Sequence, residues 1–321
     1  MTEEFDFYSK TSLKSYNLSE TMRYQLGRLD SLDVYTRKHC ENVASLTSRL
    51  CEHLGLNPNF TVYAIICAYL HDLGKMFIPP EILQKKDKLT NEEYEIMKTH
   101  AIKGYNMCMA DPQLSPYANG PLYHHEALNG TGYPHGVTID DIPLEGQIIR
   151  VADEYDAIVN KRQYKSHIGI SDTLKIIIEN SNPVPLVPNE TVGDGVFRDP
   201  KIIKIRKTYG KINKRIVKKL IEIVILDIEG EIESVKEYID FLKGEIKRLQ
   251  TIYDFHTKAL NTNKESEKNY YVSGCNELFS QGEDFSSYQN ILADYQNAFN
   301  TRTAKINDLY KEINVVKGLR V

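Results

Sequence analysis

The sequence predicts an all-α protein: a helical bundle followed by a long helical, coiled-coil-like C-terminal region. Three observations carry this. No alternating apolar and polar run of strand type occurs in the 321 residues. Val34, Val43, Leu46 and Leu50 recur at helical spacing. Beyond residue 228, apolar positions fall alternately four and three apart, the heptad pattern.

The elements follow in order. Residues 1–25 are polar with little periodicity and read as a leader or first docking helix. The Val34–Leu50 stripe predicts a helix that carries His39. Val62 to Leu70 is apolar enough for a buried helix, with His71-Asp72 at its C-terminal end and Gly74 able to stop it. Thr90-Asn91-Glu92-Glu93 is a capping box that starts a helix leading to His100. Asn129-Gly130-Thr131-Gly132-Tyr133-Pro134 breaks regular structure. Gln147 to Val159 is helical again and carries Asp153. The proline- and glycine-rich stretch 181–200 reads as an exposed loop or linker.

Two heptad stripes follow: Ile228, Ile232, Val235, Ile239, Leu242, Ile246, Leu249 and Tyr253, then Phe285, Tyr288, Leu292, Tyr295, Phe299, Ile306, Leu309, Ile313 and Val316. The polar stretch between them, about residues 260–283, is expected to be a loop joining two helices. Such a hairpin can pack within the chain. Isoleucine at each a position also suits a parallel dimer, and the two can coexist. The expected organisation is a leader (1–25), a core domain (26–205, with the 181–200 loop) and a C-terminal hairpin or coiled coil (206–321).

Composition narrows the function classes. A hydrophobic share of 41% and a charged share of 26% are ordinary for a soluble globular chain. The net charge of −4 gives no basic footprint for a nucleic acid polymer. No apolar run approaches a membrane span, and MTEEFDFYSK lacks a signal region. Cys40, Cys51, Cys67, Cys108 and Cys275 show no CxxC spacing and read as reduced thiols of a cytoplasmic protein.

The chemistry concentrates in His39, His71, Asp72, His100, His124, His125 and Asp153, which hold five of the nine histidines. Imidazoles with carboxylates and no thiolate suit a hard-to-borderline divalent metal such as iron or manganese. A bridging carboxylate with several imidazoles can hold two ions about 3.5–4 Å apart, the spacing of hydrolytic phosphoryl-transfer sites.

Four blocks give these residues their context: HDLGKMFIPPEIL (His71–Leu83), LTNEEYEIMKTH (Leu89–His100), YHHEALNGTGYP (Tyr123–Pro134) and RVADEYDA (Arg150–Ala157). In order and spacing they resemble the HD-GYP family of HD-domain metal phosphohydrolases, over roughly residues 28–180. The resemblance implies an HD-type helical bundle. It implies that Asp72 bridges two metals, that His71, His39 and Asp153 complete the first, and that His100, His124 and His125 complete the second. It implies that Lys75 stabilises charge on a phosphate, and that Gly132-Tyr133-Pro134 orders the site and touches substrate. Asp156, Arg162 and Lys165 stand at the family's positions after Asp153, the basic pair gripping the cyclic dinucleotide. Glu126 reads either as an acceptor orienting a ligand imidazole or as a helix-terminal residue.

The sequence departs from the family in places. Tyr35 stands where three-metal members carry a glutamate, and a phenol is a poor ligand near neutral pH; two metals are therefore expected. Asn129 replaces the usual aspartate and Gln163 the usual proline. The resemblance implies a phosphodiesterase in which a hydroxide between the metals opens cyclic di-GMP to linear pGpG, with further cleavage to GMP left open. Two alternatives stand beside it: a non-hydrolysing cyclic di-GMP receptor signalling through its coiled coil, and the same metal site acting on another nucleotide. A homodimer through the C-terminal helices is one assembly the stripes allow, beside packing within the chain.

Overall fold

The computed structural model describes residues 34–160, 169–184, 200–280 and 282–321, except for the side chains of residues 34, 35 and 160. The leader, Arg162, Gln163, Lys165, most of the 181–200 stretch and the Tyr35 side chain lie outside the described residues. Eleven α-helices and two short 3-10 turns make up the described chain, with no strand among the described residues and a lone bridge between Asn129 and Thr138. Two compact units form: residues up to Ile223 (with Leu319–Val321), and Val224–Gly318.

In the first unit, α1 (Val34–His53), α2 (Pro58–Leu70) and α6 (Leu144–Asn160) pack on one another. Next along the chain after α2 come α3 (Pro80–Leu83), α4 (Asn91–Met109) and α5 (Asn119–Tyr123), of which α5 packs on α2, α4 and α6. Val43, Leu50, Ile65, Leu70, Ile148 and Ile149 are fully or almost fully buried, and each such aliphatic side chain stabilises the fold by roughly 1.5–3 kcal/mol. Helix α2 starts on Asn57, whose side chain accepts from the Asn59 N–H, with Pro58 at its first position. It ends before His71, and a 3-10 turn, Leu73–Phe77, follows.

Gly74 therefore does not stop α2 by a left-handed turn. It lies in the 3-10 segment, where a Cβ would run into the His100 carbonyl and the backbone of Gly104. The glycine lets the Asp72–Lys75 turn lie directly against α4, which brings His100 to Asp72. Helix α4 carries the expected capping box: the Thr90 side chain accepts from the Glu93 N–H and the Glu93 side chain from the Thr90 N–H. Helices α7 (Ile170–Ser181) and α8 (Pro200–Thr208) follow, then the long α9 (Lys214–Asn261), within which the boundary between the units falls.

The second unit contains the rest of α9, α10 (Glu265–Leu278) and α11 (Tyr288–Gly318). Ile228, Ile232, Val235, Ile239, Leu242 and Leu249 are buried on α9, with Tyr288, Ile306, Ile313 and Val316 on α11. The two heptad stripes meet within one chain: Tyr253 contacts Tyr288, Phe241 contacts Tyr295, and Lys317 pairs with Glu229 at 2.7 Å, an antiparallel order. Two details differ from the sequence reading. Ile252 rather than Tyr253 enters the core. The expected 260–283 loop contains helix α10, which buries Cys275 and sets Gly274 against the Phe255 ring so closely that a Cβ would clash.

Candidate metal centre

Each element delivers its ligand-type residue for a local reason. His39 lies on α1, Asp153 and Asp156 on α6, and His100 in the middle of α4. His71 and Asp72 occupy the break between α2 and the 3-10 turn. His124 and His125 directly follow the single turn of α5. The structure gathers these residues into two groups able to hold a cation, His39–His71–Asp153 and His100–His124–His125, and a third such group joins Cys40 to His71 and Asp72.

Asp72 stands between the first two groups. Its Oδ2 lies 3.3 Å from His71 Nε2 and 3.6 Å from His39 Nε2. Its Oδ1 lies 3.6 Å from His100 Nε2 and 3.9 Å from His124 Nε2. One carboxylate thus turns one oxygen towards each group, the disposition a bridge requires.

The imidazole protons are fixed by their outer partners. His71 Nδ1 donates to the Ala68 carbonyl at 2.6 Å, His100 Nδ1 to Met97 at 2.7 Å and His124 Nδ1 to Pro121 at 2.9 Å. A carbonyl only accepts, so each ring carries its hydrogen on Nδ1 and turns the Nε2 lone pair inward. Burial lowers the pKa values of His100, His124 and His125, which keeps them neutral. Yet His100 Nε2 and His124 Nε2 stand only 3.1 Å apart. Two neutral lone pairs facing each other at that distance repel unless a cation lies between them. The donor set fits a divalent metal.

On the other side, burial alone would lower His39, but hydrogen bonds to Asp153 (3.0 Å) and Asp156 (2.6 Å) and the charge of Asp72 outweigh it and push its pKa up to about 10. Without metal, His39 is an imidazolium donating to both carboxylates. Burial would raise Asp153, but His39 and the neighbouring imidazoles hold it well below the usual carboxylate range. Asp72 is held low in the same way by Lys75 and His71, which outweigh its burial. Lys75 Nζ sits 2.6 Å from Asp72 Oδ2, and that carboxylate overcomes burial to keep the ammonium charged.

Gly132 is required by close approach: a Cβ there would collide with the Ala127 N–H and the His125 carbonyl. The Tyr133 N–H donates to the His125 carbonyl at 3.1 Å, and the Tyr133 ring stacks on the His125 imidazole with centroids 4.6 Å apart. Tyr133–Pro134 is a cis peptide. Glu126 takes neither of the roles read from the sequence. It is buried and accepts from the His135 and Val137 N–H groups at 2.7 and 3.1 Å, which ties the loop down. Asn129 Oδ1 accepts from Thr131 N–H and hydroxyl, and its carbonyl accepts from Arg206. Sequence reasoning placed Asp156 with the substrate grip and missed its hydrogen bond to His39; its i,i+3 spacing from Asp153 was the available signal. Burial raises the Cys40 thiol, and all five cysteines are free and buried. No helix among the described residues is long and apolar enough to cross a membrane.

The HD domain model matches residues 2–183. Over 147 residues the chain is 41% identical to a cyclic di-GMP phosphodiesterase of Thermotoga maritima, covering 45% of this chain and 40% of that protein. It is 35% identical over 155 residues to 3'3'-cGAMP-specific phosphodiesterase 3 of Vibrio cholerae, covering 47% and 33%. The chain thus matches less than half the length of these relatives. The HD domain of the L. monocytogenes phosphodiesterase PgpH, solved in complex with cyclic-di-AMP, aligns at 19% identity and a TM-score of 0.40 over 61% of this chain and 91% of that one. The family match and the two sequence relatives bear out the resemblance read from the four motif blocks, and with the family model spanning more than half of the chain, it belongs to the HD domain family.

Proposed function

We propose that this chain is a metal-dependent phosphodiesterase that hydrolyses cyclic di-GMP to linear pGpG. The observation that carries the reading is Asp72, with Oδ2 facing His39 and His71 and Oδ1 facing His100 and His124. Two ions, iron or manganese by the donor chemistry, would be held by His39, His71 and Asp153 on one side and by His100, His124 and His125 on the other, with Asp72 shared. When bound, they supply Lewis acidity and activation of water.

The chain's own residues do the rest. The Asp72 carboxylate keeps Lys75 charged at the edge of the centre, where its ammonium can donate to a non-bridging phosphate oxygen as charge grows there. Tyr133 fixes the plane of the His125 imidazole, and Asp156 that of His39. Arg162 and Lys165 grip the dinucleotide, with Gly132-Tyr133-Pro134 beside it. A water oxygen joins the phosphorus as its bond to the ribose 3′ oxygen breaks; the 3′ oxygen takes up a proton as a hydroxyl, the phosphate stays on the 5′ oxygen, and the ring opens to pGpG. A homodimer through the C-terminal helices stays part of the proposal, although the Ile-rich stripe is buried inside the chain's own hairpin, and the five reduced thiols support a cytoplasmic site of action.

A second reading, another cyclic dinucleotide as substrate, is favoured by the likeness to the cGAMP-specific relative. Anaerobic incubation with Fe²⁺ or Mn²⁺ and each of cyclic di-GMP and 3'3'-cGAMP, followed by chromatography, decides between them. The proposal expects pGpG from cyclic di-GMP as the faster reaction and nothing from Asp72→Ala. Faster cleavage of cGAMP would favour the second reading, and binding without turnover would make the protein a receptor.

A further inference from the structure

Tyr94 lies on α4, 48% exposed, at the outer end of a row of rings that leads to the metal centre. Its ring meets the Tyr133 ring edge-on at 6.5 Å, and Tyr133 stacks on the ligand-type His125 at 4.6 Å. One face of Tyr133 is thus occupied by an imidazole, and Lys98 Nζ stands over the same ring at 5.9 Å. Of the two tyrosine rings, Tyr133 is half-buried and Tyr94 is the exposed one. Lys98 Nζ is also 5.4 Å from the Tyr94 centroid and is held from behind by Glu95 at 2.6 Å.

We propose that Tyr94 is the stacking platform for a purine base of the nucleotide substrate, with the Lys98 ammonium at the edge of that base. The proposal rests on the phosphodiesterase reading above and deepens it. A half-exposed phenol ring one turn from the lysine on the same helix offers what a base needs, a flat π surface and a cation beside it. Lysine suits the O6 and N7 acceptors of guanine, which adenine only half reproduces because it carries an amino donor at the sixth position. Only two ring-to-ring steps separate Tyr94 from His125, so a nucleotide with its phosphate at the metal groups can lay its base there.

The test compares cyclic di-GMP with methyl p-nitrophenyl phosphate, a diester without a base, on the full-length, metal-loaded protein. For Tyr94→Ala, the ratio of the KM for the dinucleotide to that for the baseless diester should rise roughly tenfold, the loss of one base–aromatic stack. Tyr94→Trp should keep the ratio within twofold of wild type. Should the protein bind the dinucleotide without turnover, the Kd from calorimetry takes the place of KM and the same rise is expected. An unchanged ratio in Tyr94→Ala overturns the proposal, as does an equal loss on both substrates with reduced metal content, which would make Tyr94 a support for the Tyr133–His125 stack. Wild type that cleaves the baseless diester and neither cleaves nor binds cyclic di-GMP would instead count against the substrate reading.

Discussion

His39 Nδ1 donates to Asp156 Oδ2 at 2.6 Å, joining α1 to α6 across 117 positions of sequence. The bond fixes the ring so that Nε2 faces Asp153 and Asp72. Outer partners of this kind orient a ligand and raise its basicity. Asp156→Ala is therefore expected to weaken Mn²⁺ binding by roughly 10–100-fold, with the helical fold retained by circular dichroism. Calorimetric titration measures the affinity; an unchanged value would show that His39 needs no such support.

Metal should stabilise the first unit because only the folded chain assembles the two groups. At a free ion concentration of 100 times its Kd the gain is about 2.7 kcal/mol, which raises the unfolding midpoint of a unit this size by several degrees. Scanning calorimetry with Mn²⁺ and then with a chelator should show that rise and its reversal. The shift should be absent in Asp72→Ala.

Gly74 tests the packing that brings the bridging carboxylate to His100. A methyl group there meets the His100 carbonyl and the Gly104 backbone, neither of which can move without displacing α4. Gly74→Ala should cost about 1–3 kcal/mol or more by overpacking. It should also lose metal binding, since the separation between Asp72 and His100 widens. Denaturant unfolding and metal content measure the two effects; wild-type values in both would contradict the packing account.

These predictions also mark how far the sequence could be read. The ligand-type residues were legible because histidines and carboxylates stood in four ordered blocks, and the α4 start was legible because a capping box is local. Gly74 was read as a helix stop because its real constraint, the backbone of a helix about 30 residues away, leaves no trace nearby. Glu126 was misjudged for a similar reason, since its partners are backbone N–H groups further along the loop. Helix α10 was missed because its sequence is polar and contains Gly274, a poor helix former. Its formation rests on packing against Phe255, which no local pattern reveals.

In the second unit, Arg248 forms a bidentate pair with Glu283 (2.6 and 2.8 Å) while also donating to Glu245 and the Leu278 carbonyl. The hydrogen bonds from Arg248 hold the Glu283 carboxyl below its ordinary range. Its folded pKa is lower than its unfolded one, so the stabilisation is complete above the unfolded value and fades as pH falls through the folded value. Wild type should therefore lose more stability than Glu283→Gln between pH 6 and the acid limit of folding. Thermal unfolding across that range measures it, and parallel pH profiles for the two proteins would contradict the assignment.

The central claim is that Asp72 joins two metal sites in one centre. Electron paramagnetic resonance of the Mn²⁺-loaded protein, with metal content measured on the same sample, tests it most directly. The account expects two manganese ions per chain with an exchange-coupled spectrum, and loss of the coupling in Asp72→Ala. One ion per chain, or two with uncoupled spectra in wild type, would contradict it.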